Sequence, residues 1–540
     1  MRATSSDVLI IGGGHNGLVC AAYLAGAGLK VRVLERRGIV GGAAVTEEFF
    51  PGFRNSTASY TVSLLNPAVI RDLRLHQHGL RVVERPYANF LPLPDGNAFR
   101  LGGEHTQREV AKWSLRDAER LPAYYAMLDR VVVVLRELMQ RTPPNVSDHF
   151  VLADWIGSLA VGRQLKRLDM AGRRDLLDLF TKSAGDLLDN WFESEPLKAV
   201  LGWDSVVGNF ASPYTPGSAY VLLHHVFGEV NGKQGSWGHA IGGMGAITRA
   251  MALECEARGV AIQTDAPVEQ VLVEDGRAVG VRMADGGELH AKTVIANVNP
   301  KLLYQRLVPR DAVDADTGER IDLYRCASGT FRMNVALSEL PDFTAAPGTQ
   351  LQPHHQSGIL IGPSLQYFEQ AYFDAKSRVH NPGWARQPIV ELVISSTLDD
   401  TLAPPGQHVA SLFCQQVNPE LAEGSGGWDA HRDTVANLMI DTVDAYAPNF
   451  RRSVLGYKAL SPLDLERELG LVGGDIFHGA LSLDQMFSAR PLLGQGNYRG
   501  ALPGLYLCGS GTHPGGGVTG LPGRNAAREV LRDRGRALPG

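Results

Sequence analysis

Three glycines near the start of the chain have the spacing of a dinucleotide-binding turn. Residues 7 to 36 read DVLIIGGGHNGLVCAAYLAGAGLKVRVLER, where Gly12, Gly14 and Gly17 fit GxGxxG between a strand, a helix of small residues and a second strand. Bare backbone lets a pyrophosphate approach the N–H groups at the start of the helix. Glu35 follows 18 residues after Gly17, where an acid accepts from ribose hydroxyls. The pattern therefore predicts a dinucleotide without a 2′-phosphate.

A second glycine-rich segment lies close to the C-terminus. Residues 509 to 523 read GSGTHPGGGVTGLPG, and Gly515, Gly517 and Gly520 again fit GxGxxG. Only twenty residues follow Gly520, enough for one helix and too few for a second βαβ unit. We expect the final helix to aim its N-terminus at the far end of the same cofactor, with the N–H groups of Gly517 and Val518 against a flavin ring. The predicted cofactor is FAD.

Side chains beside that ring are the candidates for chemistry. Flavin accepts hydride from a C–H bond, while the protein supplies geometry, exclusion of water and sometimes a base. His513, in THPGG, is a candidate base or a structural residue before the helix. His478, in GGDIFHG, and Trp237 and His239, beside mid-chain glycines, either line the cavity or pack in the core. A substrate without acidic protons needs no strong base.

The composition excludes several other classes of protein. The 540 residues carry a net charge of −5 with scattered basic residues, which does not indicate nucleic-acid binding. Five widely spaced cysteines form no CxxC, which argues against a redox dithiol and a thiolate zinc site. Adjacent histidines occur without HExxH, so no metal is predicted. The longest apolar run, VVVVL at 131–135, is too short to span a bilayer.

The order of patterns along the chain predicts an α/β cofactor domain that the chain leaves and re-enters. Residues 237–259 read as a glycine turn and an amphipathic helix, and 267–297 as a hairpin meander followed by a buried strand. The predicted division is cofactor domain at 1–75, 236–300 and 466–540, and substrate domain at 76–235 and 301–465. The N-terminus runs almost at once into a strand, so we expect a cytoplasmic protein.

Several stretches together resemble the phytoene desaturase-related FAD flavoproteins. They are GGGHNGLVCAAYLAGAG, TPGSAYVLLHH, QGSWGHAIGGMGA, GGDIFHGALSLDQMFSARP and LYLCGSGTHPGGGVTGLPGRNAA. The likeness covers essentially the whole chain and is greatest to the branch called pyridine nucleotide-disulphide oxidoreductase domain-containing protein 2. The FAD-type β-carotene ketolases share HNGLVCAAYL and THPGG.

The resemblance implies a glutathione-reductase-like Rossmann FAD domain with an inserted α+β substrate domain. The residues predicted to bind the cofactor, from the motifs and from the resemblance, are Gly12, Gly14, His15, Asn16, Gly17, Glu35, Arg36, Gly41, Gly42, Ala43, Val268, Gly509, Ser510, Gly517 and Val518.

Two features depart from the family's pattern. The branch name suggests pyridine nucleotide and disulfide chemistry, but the sequence has neither paired cysteines nor a second complete nucleotide unit. Many relatives carry Gly-Asp on the last strand, whereas Gly509 is followed by Ser510 here.

Three functions are compatible with these patterns. The first is an FAD-dependent dehydrogenase or desaturase that acts on an apolar, isoprenoid or lipid-like molecule and is reoxidised by a quinone or oxygen. The second is an amine oxidase, which should show an aromatic cage, and the third is a flavin-bound partner protein without turnover. The predicted partners are the small apolar substrate and its electron acceptor, with a peripheral membrane contact left open.

Overall fold

A computed structural model describes residues 6–103, 105–146 and 152–539 of the chain. The first five residues, taken above as the lead into the first strand, lie outside the described residues. The strands, numbered β1 to β21 in chain order, are Val8–Ile11, Val31–Leu34, Thr46–Phe50, Phe53–Ser56, Val82–Glu84, Asn89–Pro92, Ala98–Leu101, Glu229–Val230, Lys233–Gln234, Gly238–Ala240, Ala261–Gln263, Val268–Glu274, Arg277–Met283, Glu288–His290, Thr293–Ala296, Phe331–Leu337, Gly358–Ile361, Trp384–Val393, His408–Val417, Val454–Leu460 and Leu505–Leu507.

The α-helices, numbered α1 to α17 in the same way, are His15–Gly26, Pro67–Asp72, Thr106–Ala111, Leu115–Met139, Leu152–Lys166, Met170–Thr181, Ala184–Trp191, Glu195–Trp203, Ser218–Val226, Gly245–Ala257, Pro300–Leu302, Ala315–Leu323, Leu365–Ser377, Gly427–Asp444, Phe450–Ser453, Pro462–Leu469 and Leu521–Asp533. The protein has a mixed α/β structure.

A five-stranded parallel sheet gathers three distant parts of the chain. Its strand order is β11-β2-β1-β15-β21. Every residue of β1 and of β15 is buried, as expected for parallel strands that are covered on both faces. Residues of α1, α10 and α17 share one core cluster with this sheet, and the antiparallel β12-β13-β14 sheet packs in a second cluster. The first, middle and last segments therefore meet in one layered unit.

A seven-stranded mixed sheet forms the second large layer. Its order is β20-β16-β19-β18-β17-β6-β7, with one parallel pair, β17 with β6. One set of side chains from this sheet packs with residues of α14. Another set of side chains from the sheet packs with residues of α4 and of α6 to α9. The two segments predicted for a substrate domain, before and after the mid-chain cofactor segment, both contribute strands to this sheet.

One strand pair joins parts of the chain that the predicted division separates. Strand β5 pairs antiparallel with β10, with Glu84 opposite Gly238. The predicted boundaries assign β5 to the substrate segment and β10 to the cofactor segment. Backbone hydrogen bonds thus tie the chain together where it leaves and re-enters the cofactor unit.

Helix α17 starts at Leu521, directly after Gly520 and inside the glycine-rich segment 509–523. Gly520 adopts φ +74 as the N-cap and Pro522 fits the first turn, where its missing N–H has no helical partner to lose. Gly523 lies inside the helix. The position requires glycine, because a Cβ there would be 2.1 Å from the Asn16 carbonyl oxygen of α1.

The helices in the described ranges are all too short or too polar to cross a membrane. The part of the chain that the structure describes also holds no cluster of three or more histidine, cysteine or acidic side chains suited to a metal ion.

Candidate functional site

The turn after β1 has the geometry that its glycines require. Gly12 adopts φ +97, and a Cβ on Gly17 would lie 2.4 Å from the Gly12 carbonyl oxygen. Gly14 is the N-cap of α1 and gives it no side-chain cap, so the first N–H groups of the helix keep their capacity to bind an anion. Asn297, directly after β15, donates from Nδ2 to the Gly12 carbonyl oxygen at 3.1 Å.

Glu35 braces this turn from the end of β2. Its Oε2 accepts from the Gly13 N–H at 2.8 Å and its Oε1 from the Arg37 N–H at 2.9 Å. The residue is only 6% exposed yet lines a cavity at the carboxyl end of the sheet. This position at the carboxyl ends of parallel strands is where α/β sheets bind nucleotides.

We call this space the first cavity. It brings together ten of the residues predicted to bind the cofactor: Gly12, Gly14, His15, Asn16, Glu35, Arg36, Gly42, Ala43, Val268 and Ser510. The sequence analysis missed a further part of its wall, namely Ala266, Asn297, Val298, Leu302, Leu307 and the segment 469–471. Asn297 had a usable signal, since it follows a predicted buried strand of the same sheet.

A second cavity adjoins the first. Four residues line both, which are His15, Ala43, His478 and Ser510. Gly517 and Val518, from the closing glycine segment, line the second cavity. Asn16 Nδ2 donates to Ser510 Oγ at 3.2 Å, so the opening and closing segments are in contact although 494 positions separate these two residues.

Three predicted glycines lie behind the walls of these cavities. Gly17 shapes the turn described above. A Cβ on Gly41 would be 2.8 Å from Thr248 Oγ1, and one on Gly509 would be 3.3 Å from the Val298 carbonyl oxygen. They permit close packing of backbone beneath the cavities.

The residues where the two cavities meet carry polar atoms without partners. His15 Nε2, Asn16 Oδ1 and His478 Nδ1 are buried and find no hydrogen-bond partner in the described part of the chain. Buried polar atoms normally find partners, so these point to a polar ligand between them. An elongated cofactor with a phosphate-bearing middle fits the uncapped helix, the unpartnered atoms and the glycine cradle.

The four predicted catalytic side chains lie in three different places. His478 lines both cavities, and burial lowers its pKa to about 3, helped by the charge of Arg490, so its ring is neutral at pH 7. Trp237 lines the second cavity and stacks on His225 at 6.2 Å between ring centres. His239 instead bonds through Nε2 to Asp399 Oδ2 at 2.9 Å.

His513 faces a different space. It lines an apolar groove between helices, the helical groove, whose walls also include Leu138, Leu177 and Phe180. Its Nε2 lies 3.2 Å from the Leu138 carbonyl oxygen, and burial lowers its pKa to about 4. The structure therefore places His513 among helix residues rather than among those lining the second cavity.

A buried cation lies beneath the closing segment. Arg490 has no exposed surface and donates from Nη2 to the carbonyl oxygens of Phe477 at 2.7 Å and Ser510 at 3.0 Å. The described residues give it no ion pair with a carboxylate. Its charge holds two residues of the second cavity by their backbone and favours negative charge nearby.

The sequence analysis missed a polar group in the second cavity. It consists of Tyr60, Arg85, Asp204 and Glu391, which come from four distant segments. The Tyr60 hydroxyl donates to Glu391 Oε2. Burial, followed by repulsion from Glu391, raises the pKa of Asp204 to about 8. The only usable signal was Glu391 itself, an acid inside the apolar strand PIVELVIS.

The comparisons with known proteins agree with this arrangement. The family model described as flavin containing amine oxidoreductase matches residues 17–317, more than half of the chain. Pyridine nucleotide-disulfide oxidoreductase domain-containing protein 2 of Rattus norvegicus is 42% identical over 98% of this chain and 93% of its own. Lycopene-forming phytoene desaturase of Pseudescherichia vulneris is 24% identical over 95% of this chain and 96% of its own.

A solved oxidoreductase of Methanosarcina mazei shares the fold. It superposes with a TM-score of 0.60 at 17% identity and covers 97% of this chain and 99% of its own. The predicted resemblance and the predicted cofactor are confirmed. The chain belongs to the flavin-containing amine oxidoreductase family, is related to the phytoene desaturases, and is an FAD-dependent oxidoreductase.

Proposed function

We propose that the protein is a dehydrogenase or oxidase of the phytoene desaturase type. It removes hydride from a C–H bond of an apolar, isoprenoid or lipid-like molecule, and a quinone or oxygen reoxidises it. The observation that carries this proposal is the second cavity, which adjoins the first and has mainly apolar walls. Its apolar side chains include Leu64, Trp203, Val207, Ile247, Phe413 and Phe477.

The cofactor residues divide between the two cavities. Glu35 and the uncapped N-terminus of α1 would hold the ribose and pyrophosphate in the first cavity. Gly517 and Val518 would hold the ring end in the second, just before α17. FAD, when bound, supplies the hydride acceptor. The unpartnered atoms of His15 and His478 support a polar middle section between these ends.

The side chains orient the substrate and exclude water. Trp237 and His478 line the second cavity, and this supports our assignment of these two, among the four predicted catalytic residues, to substrate contact. The low pKa of His478 makes its ring a weak base, which suits a substrate without acidic protons. His239 holds Asp399, which also accepts from the Gly242 N–H at 2.6 Å, so we assign it a positioning role.

The finer fold assignment is part of this proposal. A glutathione-reductase-like FAD domain with an inserted α+β domain is supported by the parallel sheet and the separate seven-stranded sheet. The pairing of β5 with β10 favours moving the boundary predicted at 75 beyond Glu84. The cytoplasmic location, the electron acceptor and the peripheral membrane contact stay predictions.

One observation favours an amine oxidase as the second candidate. Aromatic side chains line the second cavity from several directions, namely Tyr60, Trp203, Trp237, Phe413 and Phe477, as an aromatic cage requires. Arg85 lies in the same cavity and opposes binding of a cation there. The apolar substrate is therefore the first choice.

Anaerobic mixing distinguishes the candidates. FAD-loaded protein is mixed with a conjugated polyene, a long-chain lipid or a primary amine, and the visible flavin absorbance is followed. Bleaching by the polyene or lipid supports the proposal, and bleaching by the amine alone favours the second candidate. If dithionite reduces the bound flavin but none of the donors bleaches it, the protein is a flavin-bound partner without turnover.

A pair of variants tests whether the second cavity holds the substrate. Val207→Trp narrows that cavity, whereas Leu177→Trp enlarges an exposed side chain in the separate helical groove. We expect Val207→Trp to lose bleaching and keep bound FAD, and Leu177→Trp to retain both. Loss of bleaching only in Leu177→Trp would place the substrate in the helical groove instead.

A further inference from the structure

The second cavity meets a third space that reaches the surface. This outer cavity shares six residues with the second cavity, which are Arg85, Ala88, Asn89, Asp204, His225 and Trp237. Its rim includes the exposed residues Pro86, Gly103 and Gln234. The six shared residues form the junction between the inner space and the surface. None of the described residues lines both the helical groove and the second cavity.

Arg85 has spare hydrogen-bonding capacity at this junction. Its Nη2 donates to Thr61 Oγ1 at 2.8 Å, while its Nε is buried and has no hydrogen-bond partner among the residues that the structure describes. The described residues offer it no ion pair, and burial lowers the pKa of Arg85, an effect that the negative charge of Glu391 partly offsets. A buried guanidinium with a free N–H is a donor awaiting an oxygen acceptor.

The other charges around the junction leave it positive. The Glu391 carboxylate accepts from Tyr60, and the Arg332 guanidinium lies 4.7 Å from the centre of the Tyr60 ring. Burial raises the pKa of Asp204 to about 8, so this carboxyl is mostly protonated at pH 7. Two guanidiniums therefore accompany one carboxylate, and a protonated Asp204 offers an O–H donor.

Neighbouring titratable groups do not reverse this balance. Burial lowers the pKa of His225 to about 4 and raises that of Tyr125 to about 12, so both are neutral at pH 7. Tyr124 is neutral for the same reason. Asp129 and Glu84 lie in the wall of the outer cavity, where Glu84 is paired with Lys233.

We propose that the junction binds the carboxylate of an amphiphilic substrate through Arg85 and Asp204, while the apolar body of that substrate extends into the second cavity. An ammonium headgroup placed beside Arg85 would be repelled by the guanidinium. A plain hydrocarbon would bring no oxygen acceptor to the Arg85 guanidinium, which lines the junction. This inference rests on the proposed function and adds the chemistry of the headgroup.

Three probes that share one alkyl chain length and differ in the headgroup test which headgroup the junction binds. Laurate, dodecanol and dodecylamine are titrated into FAD-loaded protein below their micelle concentrations, and binding is followed by calorimetry and by the flavin spectrum. We expect laurate to bind about tenfold or more tightly than the amine, since a charge-assisted hydrogen bond is gained in one case and repulsion in the other. Equal or tighter binding of the amine would overturn the proposal.

Arg85→Met removes the donor, and Arg141→Met in the helical groove is the matched control. We expect Arg85→Met to weaken laurate binding by about 10- to 100-fold and dodecanol binding much less. Arg141→Met should leave both unchanged. Unchanged laurate affinity in Arg85→Met would contradict the role of this residue. If Arg85→Met does not fold, the comparison of the three probes and the Asp204→Asn variant test the proposal instead.

Asp204 gives the binding a pH dependence. As pH rises through about 8, its carboxyl ionises, repels the bound carboxylate, and laurate affinity should fall. Asp204→Asn should remove this fall, because an amide does not ionise in this range. A fall of the same size in Asp204→Asn would exclude Asp204 as the cause.

The outcomes also distinguish this inference from the proposed function. The proposed function is contradicted if the protein takes up no FAD or if no donor reduces its flavin. Protein that binds FAD, is bleached by an apolar donor and shows no preference for laurate contradicts only the headgroup assignment.

Discussion

Glu35 performs two tasks with one carboxylate. Its two oxygens accept from the N–H groups of Gly13 and Arg37, which fixes the turn after β1, and the residue lines the first cavity. A hydrogen bond to a charged group contributes about 1.5–3 kcal/mol. Losing the carboxylate should therefore loosen the turn and remove the ribose acceptor together.

Glu35→Ala should weaken FAD binding by about 10- to 100-fold, because both contributions are lost. Titration of the apoprotein with FAD, followed by quenching of flavin fluorescence, measures the effect. Glu48→Ala, at an exposed position of β3, is the control and should bind FAD normally. If Glu35→Ala binds FAD with wild-type affinity, Glu35 does not hold the ribose.

Asp204 and Arg85 illustrate side chains that spacing cannot reveal. Asp204 follows the end of α8, whereas Arg85 follows β5, and neither belongs to a local motif. Their chemistry depends on burial in a shared cavity, which raises the pKa of Asp204 and leaves Arg85 without an ion pair. The glycine motif, in contrast, was readable because its function lies in local backbone geometry.

The contact between α1 and α17 joins the two ends of the chain. Gly523 lies against the Asn16 carbonyl oxygen, so the two helix backbones approach without a side chain between them. Asn16 also donates to Ser510, and α1 and α17 share one core cluster. The close approach sets the relative position of the two segments that line the cavities.

Gly523→Ala should destabilise the protein by about 1–3 kcal/mol, because a new Cβ would lie 2.1 Å from a backbone oxygen that cannot move freely. Gly162→Ala is the matched control, since Gly162 is helical, exposed and has nothing within 4 Å of an added Cβ. It should be neutral or stabilise by about 0.5–1 kcal/mol. Urea unfolding measures both, and a stabilised Gly523→Ala would show that the helices can separate at little cost.

The molecule buries many neutral histidines. Desolvation lowers the pKa of six of them to about 3 or 4: His15, His224, His225, His354, His478 and His513. In the unfolded chain they titrate near 6.5. Below that pH the unfolded state binds more protons than the folded state, so stability is lost as pH falls from 6.5 towards 4.

The melting temperature of the FAD-loaded protein should therefore drop between pH 6.5 and 5, before most carboxylates titrate. Each histidine contributes at most about 1.4 kcal/mol per pH unit in that window. His354→Phe should make the drop shallower, because this ring packs against Phe90 and lies outside the cavities. His290→Gln, at an exposed site, is the control. A flat profile down to pH 5 would contradict the assignment of neutral buried rings.

The sequence alone determined the FAD fold, its family and ten of the residues that line the first cavity. The nucleotide-binding turn follows from local rules, because a GxGxxG turn, its helix and the acid after the second strand lie within 30 residues and specify one another. The family was read from a resemblance that covers essentially the whole chain. Only the tertiary structure decided which histidines reach the second cavity, that His513 faces the helical groove, and that Arg85 and Asp204 line the same two cavities. Those outcomes depend on packing between segments hundreds of residues apart, where a side chain's position is set by its neighbours rather than by its place in the chain.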